Sequence, residues 1–156
     1  MSEVNATKEA RIQQDSLEWL DERITGLRAV CEQLLRQPRV PFREHNESIR
    51  SKLPDEPGLY VISRKGASTG EFLWAGKTNR SLRQRICQNH LMGNQNGNLP
   101  QKLVGGGVCQ DLNTAKSWIR DNCYVQFLVM GEDAILSRAE HFMLSVIRPT
   151  YCDGKK

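Results

Sequence analysis

A phenol, a guanidinium and a carboxylate arrive in order along this chain. Tyr60 closes the triplet Gly58-Leu59-Tyr60, Arg85 follows a second triplet, Trp74-Ala75-Gly76, and Glu140 lies in an apolar helical stretch. Hydrolysis of a phosphodiester needs a positioned water, a group to take its proton, positive charge on the phosphate and support for the departing oxygen. These side chains are of the types that such chemistry uses, and their order points to it.

Charge along the chain supports a phosphate ligand. The net charge of +4 is too small to be diagnostic. Its distribution is more informative: residues 1–37 hold five Lys or Arg against seven acids, whereas residues 38–100 hold ten against five. Between Glu71 and Asp111 there is no acidic residue, while Lys77, Arg80, Arg83, Arg85 and Lys102 fall in that window. A basic patch of this kind suits phosphate, and on charge alone a solvated basic helix face explains it equally well. Five scattered cysteines without a C-x-x-C pair argue against a disulfide framework and against structural zinc, and read as core residues, Cys152 excepted. No apolar run reaches the length of a bilayer span, and residues 1–18 lack the pattern of a secretory signal, so a cytoplasmic chain with no membrane partner is expected.

The elements that must position these residues follow from periodicity. A length of 156 residues predicts one domain, at 55–156, with an N-terminal amphipathic helix over 1–37 and a connector over 38–54. In the first segment Leu17, Leu20, Ile24, Leu27, Cys31 and Leu34 recur in alternating steps of three and four, a heptad-like stripe that either joins two copies as a homodimer or lies across the domain. Pro38 and Pro41 end that helix, and one short helix is expected at 44–53. The runs 59–63 and 72–75 predict an antiparallel hairpin whose second strand ends at Gly76. Helices are expected at 81–91, 100–104, 114–121 and 134–147, a loop at 93–97 and a third strand at 124–130. The 81–91 helix turns Leu82, Ile86 and Cys87 inward and leaves Arg83, Arg85 and His90 for other work.

Together, Gly58-Leu59-Tyr60, Trp74-Ala75-Gly76-Lys77-Thr78, Leu82-Arg83-Gln84-Arg85-Ile86, His90, and Glu140 through Arg148-Pro149-Thr150-Tyr151-Cys152 resemble the GIY-YIG nuclease family over residues 55–153. The resemblance implies an α+β fold, a three-stranded antiparallel sheet flanked by helices. It implies that Tyr60 is the general base or water-orienting phenol, which needs positive charge nearby because an unperturbed phenol is a poor base at neutral pH. Glu140 becomes the ligand of a divalent metal, Mg²⁺ or Mn²⁺, since such an ion keeps most of its waters and needs few protein ligands. Arg85 takes the phosphate-clamping position, with Arg83 as its competitor. His90 relays a proton or binds the leaving phosphate, or is simply a histidine at a helix C-terminus. Lys77 binds phosphate, and Arg80, Arg83 and Lys102 extend the substrate surface. Two positions depart from the family pattern: Trp74 stands where the second tyrosine would be, and Cys152 where an asparagine closes the motif.

The function expected is therefore a metal-dependent endonuclease acting on nucleic acid, DNA before RNA. Two other readings stay open: a nucleic-acid-binding module of the same fold with impaired catalysis, and a small interaction protein organised by its N-terminal helix.

Overall fold

The computed structural model describes residues 2–44, 47–66, 71–92 and 98–151. Position 152, the expected loop at 93–97 and residues 67–70 lie outside the described residues. In chain order the elements are α1 (Glu3–Leu35), β1 (Val40–Pro41), β2 (Arg43–Glu44), β3 (Glu47–Ser48), a 3₁₀ turn (Ile49–Lys52), β4 (Gly58–Arg64), β5 (Phe72–Thr78), a π-helix (Gln84–Met92), α2 (Leu99–Gly105), α3 (Leu112–Asn122), β6 (Cys123–Val129) and α4 (Asp133–Ile147). The chain is α+β.

The sheet is antiparallel with strand order β1-β6-β4-β5. Six of the seven β4 residues are buried, as expected of an inner strand rich in Leu, Val and Ile and covered on both faces. Because side chains alternate along a strand, Tyr60 and Ile62 join Trp74 in one core with Leu82, Ile86, Leu99, Leu103 and Ile119. Leu59, Val61 and Ala75 point the other way, into a second core with Leu34, Leu136, Ala139 and Met143. A bulge carries Leu73 as an extra residue between the Ile62–Trp74 and Ser63–Phe72 pairs, so Leu73 and its neighbour Trp74 both reach the first core. One layer of the domain is thus the π-helix with α2 and α3, and the other is α1 with α4.

Several boundaries differ from expectation for physical reasons. The sheet has four strands, not three, because the two residues of β1 pair with Val125 and Tyr124; a strand so short, containing a proline, has no readable alternation. The expected helix at 44–53 is a β2–β3 ladder followed by the 3₁₀ turn, whose first turn is capped by the Ser48 hydroxyl accepting from the Arg50 N–H. Phe42, Ile49 and Leu53 bury their side chains in the first core, so the connector is built into the domain. Strand β5 does not stop at Gly76 but runs on to Thr78, since Gly58 and Leu59 continue to pair with Thr78 and Lys77. The helix expected at 81–91 is π-helical from Gln84 onward.

The C-terminal half of the N-terminal helix lies across the domain, the second of the two arrangements expected for it. Leu27, Val30, Cys31 and Leu34 pack on the second core against α4. Gln126 fastens the end of α1 to the sheet, its Nε2 donating to the carbonyls of Leu35 at 2.9 Å and Gln37 at 2.8 Å, groups that a helix C-terminus otherwise leaves without partners. Further toward the N-terminus, Ile12, Leu17, Trp19, Leu20 and Ile24 stay exposed. Among the described residues no helix is long and apolar enough to cross a membrane.

Candidate active site

Three N–H groups converge on the phenolic oxygen of Tyr60. Trp74 Nε1 donates to it at 3.1 Å, Arg85 Nε donates at 3.2 Å, and His90 Nε2 lies 2.6 Å away. The direction of the third bond follows from the other side of the ring. His90 is fully buried, and desolvation, reinforced by the Arg85 charge, holds its pKa well below the ordinary 6.5, so the ring is neutral. Its Nδ1 accepts the backbone N–H of Leu99 at 3.3 Å, which leaves the single ring proton on Nε2, facing Tyr60. A neutral phenol offers two lone pairs, a phenolate three. With Nε2 protonated, the oxygen accepts from Trp74, Arg85 and His90.

Each element contributes for a local reason. Tyr60 and Trp74 meet because β4 and β5 pair with Tyr60 opposite Gly76, one pair removed from Ala75 and two from Trp74. Gly76 leaves the space: a Cβ there would lie 3.0 Å from Tyr60 Oη and 3.3 Å from Trp74 Nε1, so the indole N–H and the phenol share the room that a side chain would fill. The π-helix brings the other two donors. In an α-helix, at 100° per residue, Arg85 and His90 would sit roughly 140° apart. The i→i+5 bonding of a π-helix widens the turn and brings residues five apart toward the same side, and such turns concentrate at functional sites. The rings then lock edge to face, Trp74 and His90 with centroids 4.8 Å apart and Tyr60 and His90 5.6 Å apart.

The remaining expected residues lie on both faces of the sheet, Lys77 and the Glu140 helix on the face opposite Tyr60. Arg83 turns away, its Nε donating to the Leu53 carbonyl at 2.9 Å, so of the two competing guanidinium groups it is Arg85 that stands at the phenol. Lys77 lies on the Leu59 and Ala75 face of the sheet, with its Nζ 3.0 Å from Asn79 Oδ1. Arg80 is exposed beyond the end of β5, and Lys102 is half-buried on α2. Glu140 is half-buried on α4, the helix that lies mainly over the edge strand β5, one residue from fully buried Ala139. Among the described residues no three His, Cys, Asp or Glu side chains are grouped to hold a metal. A divalent ion at Glu140 would thus be held by one carboxylate, waters and substrate oxygens, a donor set that Mg²⁺ accepts. Cys87, Cys109 and Cys123 are buried and Cys31 partly so, consistent with core packing; burial pushes the Cys123 thiol up to about 12.

Tyr60, Trp74 and His90 are 0 % exposed, whereas Arg85 is half-buried and links them to the surface. Asn98, next in sequence to Leu99, is also buried, and its Nδ2 has no hydrogen-bond partner among the described residues. The donor set around Tyr60 was not legible beforehand: no periodicity marks the Leu99 N–H as the group that orients His90. No family model, curated protein or solved structure matches the chain.

Proposed function

We propose that this chain is a metal-dependent endonuclease of GIY-YIG type acting on DNA, and the convergence of Trp74, Arg85 and His90 on the Tyr60 oxygen is the observation that carries the reading. A tyrosine acts as a general base as its phenolate, which N–H groups at 2.6–3.2 Å would steady, one of them giving way to the water whose proton the oxygen takes. The planar guanidinium of Arg85 suits phosphate oxygens. His90, fixed as the Nε2–H tautomer, steadies the phenolate without competing for the proton. Trp74 replaces a second phenol with a pure donor, so it stabilises the base and takes no proton itself. Glu140 would hold a divalent ion, whose chemistry is charge neutralisation at the phosphate. The basic window from Lys77 to Lys102 supplies attraction for the strand.

Complete burial of the Tyr60 oxygen favours a second reading, a DNA-binding module in which the same cluster is a structural knot. One experiment separates them. Supercoiled DNA is incubated with Mg²⁺ and wild-type protein, Tyr60→Phe or Glu140→Ala. The endonuclease reading expects nicking by wild type and a loss of about 10²-fold or more in each variant. Salt-sensitive binding without nicking by wild type would establish the module instead.

A further inference from the structure

On the face of the sheet that carries Tyr60, but at the other end of β4, lies a cavity of about 350 Å³ bordered by Arg64, Glu71, Leu73, Trp118, Thr150 and Tyr151. None of its lining residues belongs to the cluster around Tyr60. Leu73 and buried Leu103 form an apolar floor, and exposed Val108 borders its rim. Trp118 and Tyr151 are both half-buried against the core, so each offers a fixed aromatic surface at little conformational cost. Tyr151 is held in two ways: its N–H donates to the Leu73 carbonyl at 2.9 Å, and its hydroxyl end lies against Gly106, where a Cβ would come within 3.1 Å.

We infer that this cavity binds one unpaired nucleobase, with Arg64 on the adjoining phosphate. An apolar floor with two aromatic side chains stacks a π-face of any base, whereas a paired base inside a duplex presents only its edges. The polar groups around the cavity sort the edges. Glu71 brings a carboxylate, which accepts N–H groups, and Thr150 a hydroxyl, so a base with both ring and exocyclic N–H donors, guanine, fits better than thymine. Residues 60, 62 and 64 share a face, and four residues of β4 separate Tyr60 from Arg64 by about 13 Å, roughly four steps along one strand of a duplex. The inference rests on the DNA-cleaving reading and makes it specific: the substrate is duplex DNA with an extrahelical nucleotide, cut a few nucleotides away from it.

The test measures fluorescence anisotropy of three labelled DNAs, a blunt duplex and the same duplex with one extrahelical deoxyguanosine or one extrahelical thymidine, against wild type, Val108→Trp and Tyr151→Leu. Val108 is 48 % exposed, so the tryptophan fills the cavity mouth without entering the core, and an unchanged thermal midpoint confirms this. Wild type is expected to prefer the extrahelical substrate by about tenfold or more, with both variants reducing the preference toward unity and extrahelical thymidine binding more weakly than deoxyguanosine. Equal affinity of wild type for the blunt and the deoxyguanosine DNA, a preference that Val108→Trp leaves intact, or no binding to any of the three overturns the pocket, and equal affinity for the two extrahelical DNAs overturns the fit to guanine. Nicking by the same samples is scored separately: nicking without preference refutes the pocket alone, and preference without nicking refutes the nuclease alone.

Discussion

At the scale of single residues, the two glycines of the paired triplets have different work. Gly58 faces backbone: a Cβ would run into the Leu128 carbonyl oxygen and come within 2.9 Å of Leu82 Cδ1, so no side chain fits unless β4 and β6 separate. Gly76 faces the phenol. Gly58→Ala is expected to destabilise the fold by about 1–3 kcal/mol, read by chemical denaturation. Gly76→Ala should instead displace the Tyr60 oxygen by a few tenths of an ångström and lower nicking by about tenfold or more, with a smaller effect on stability. His90 makes a third residue-scale prediction. Its pKa in the folded chain is lowered, so the unfolded chain binds a proton that the folded one refuses. Stability is then insensitive to this group above pH 6.5 and falls as pH drops from 6.5 toward the lowered folded value, by up to about 1.4 kcal/mol per pH unit. Denaturation at a series of pH values checks it, and His90→Gln should remove that slope.

At the scale of elements, the π-helix and α1 carry the consequences. An α-helix over 81–91 satisfies the same apolar stripe of Leu82, Ile86 and Cys87, which is why the sequence could not disclose the wider turn; one further residue per turn leaves that stripe intact but changes what Arg85 and His90 can reach. For α1, the covered half is part of the core, and removing it would take Leu34 and the Gln126 anchor with it. The exposed half is where the heptads remain unpaired, and Glu9 and Arg23 provide charges of both signs along it. We propose that it pairs with its equivalent in a second copy. Sedimentation of the full chain should give the mass of a dimer, and Leu17→Glu with Leu20→Glu that of a folded monomer; an unchanged mass in the variant, or a monomer in both, would exclude this pairing.

At the scale of the whole molecule, much of the architecture was legible because burial imposes a period. The β4 and β6 runs, the two long helices and the order of elements from β4 onward follow from where apolar residues fall, and the resemblance to GIY-YIG nucleases added the expectation that Tyr60, Arg85, His90 and Glu140 matter together. What sequence order could not rank was Arg83 against Arg85, two places apart with the same chemistry; the structure commits Arg83 to the Leu53 carbonyl and Arg85 to the phenol. Nor could it foresee that Trp74, a departure from the family pattern, turns its N–H onto the Tyr60 oxygen. Residue types, their order and the alternation of strands are one-dimensional quantities, and the sequence by itself determined them. Which donors meet one oxygen, which histidine nitrogen keeps its proton and which aromatic side chains share a cavity depend on strand register, helix pitch and loop return, and only the tertiary structure decided those, because each contact joins residues that lie far apart along the chain.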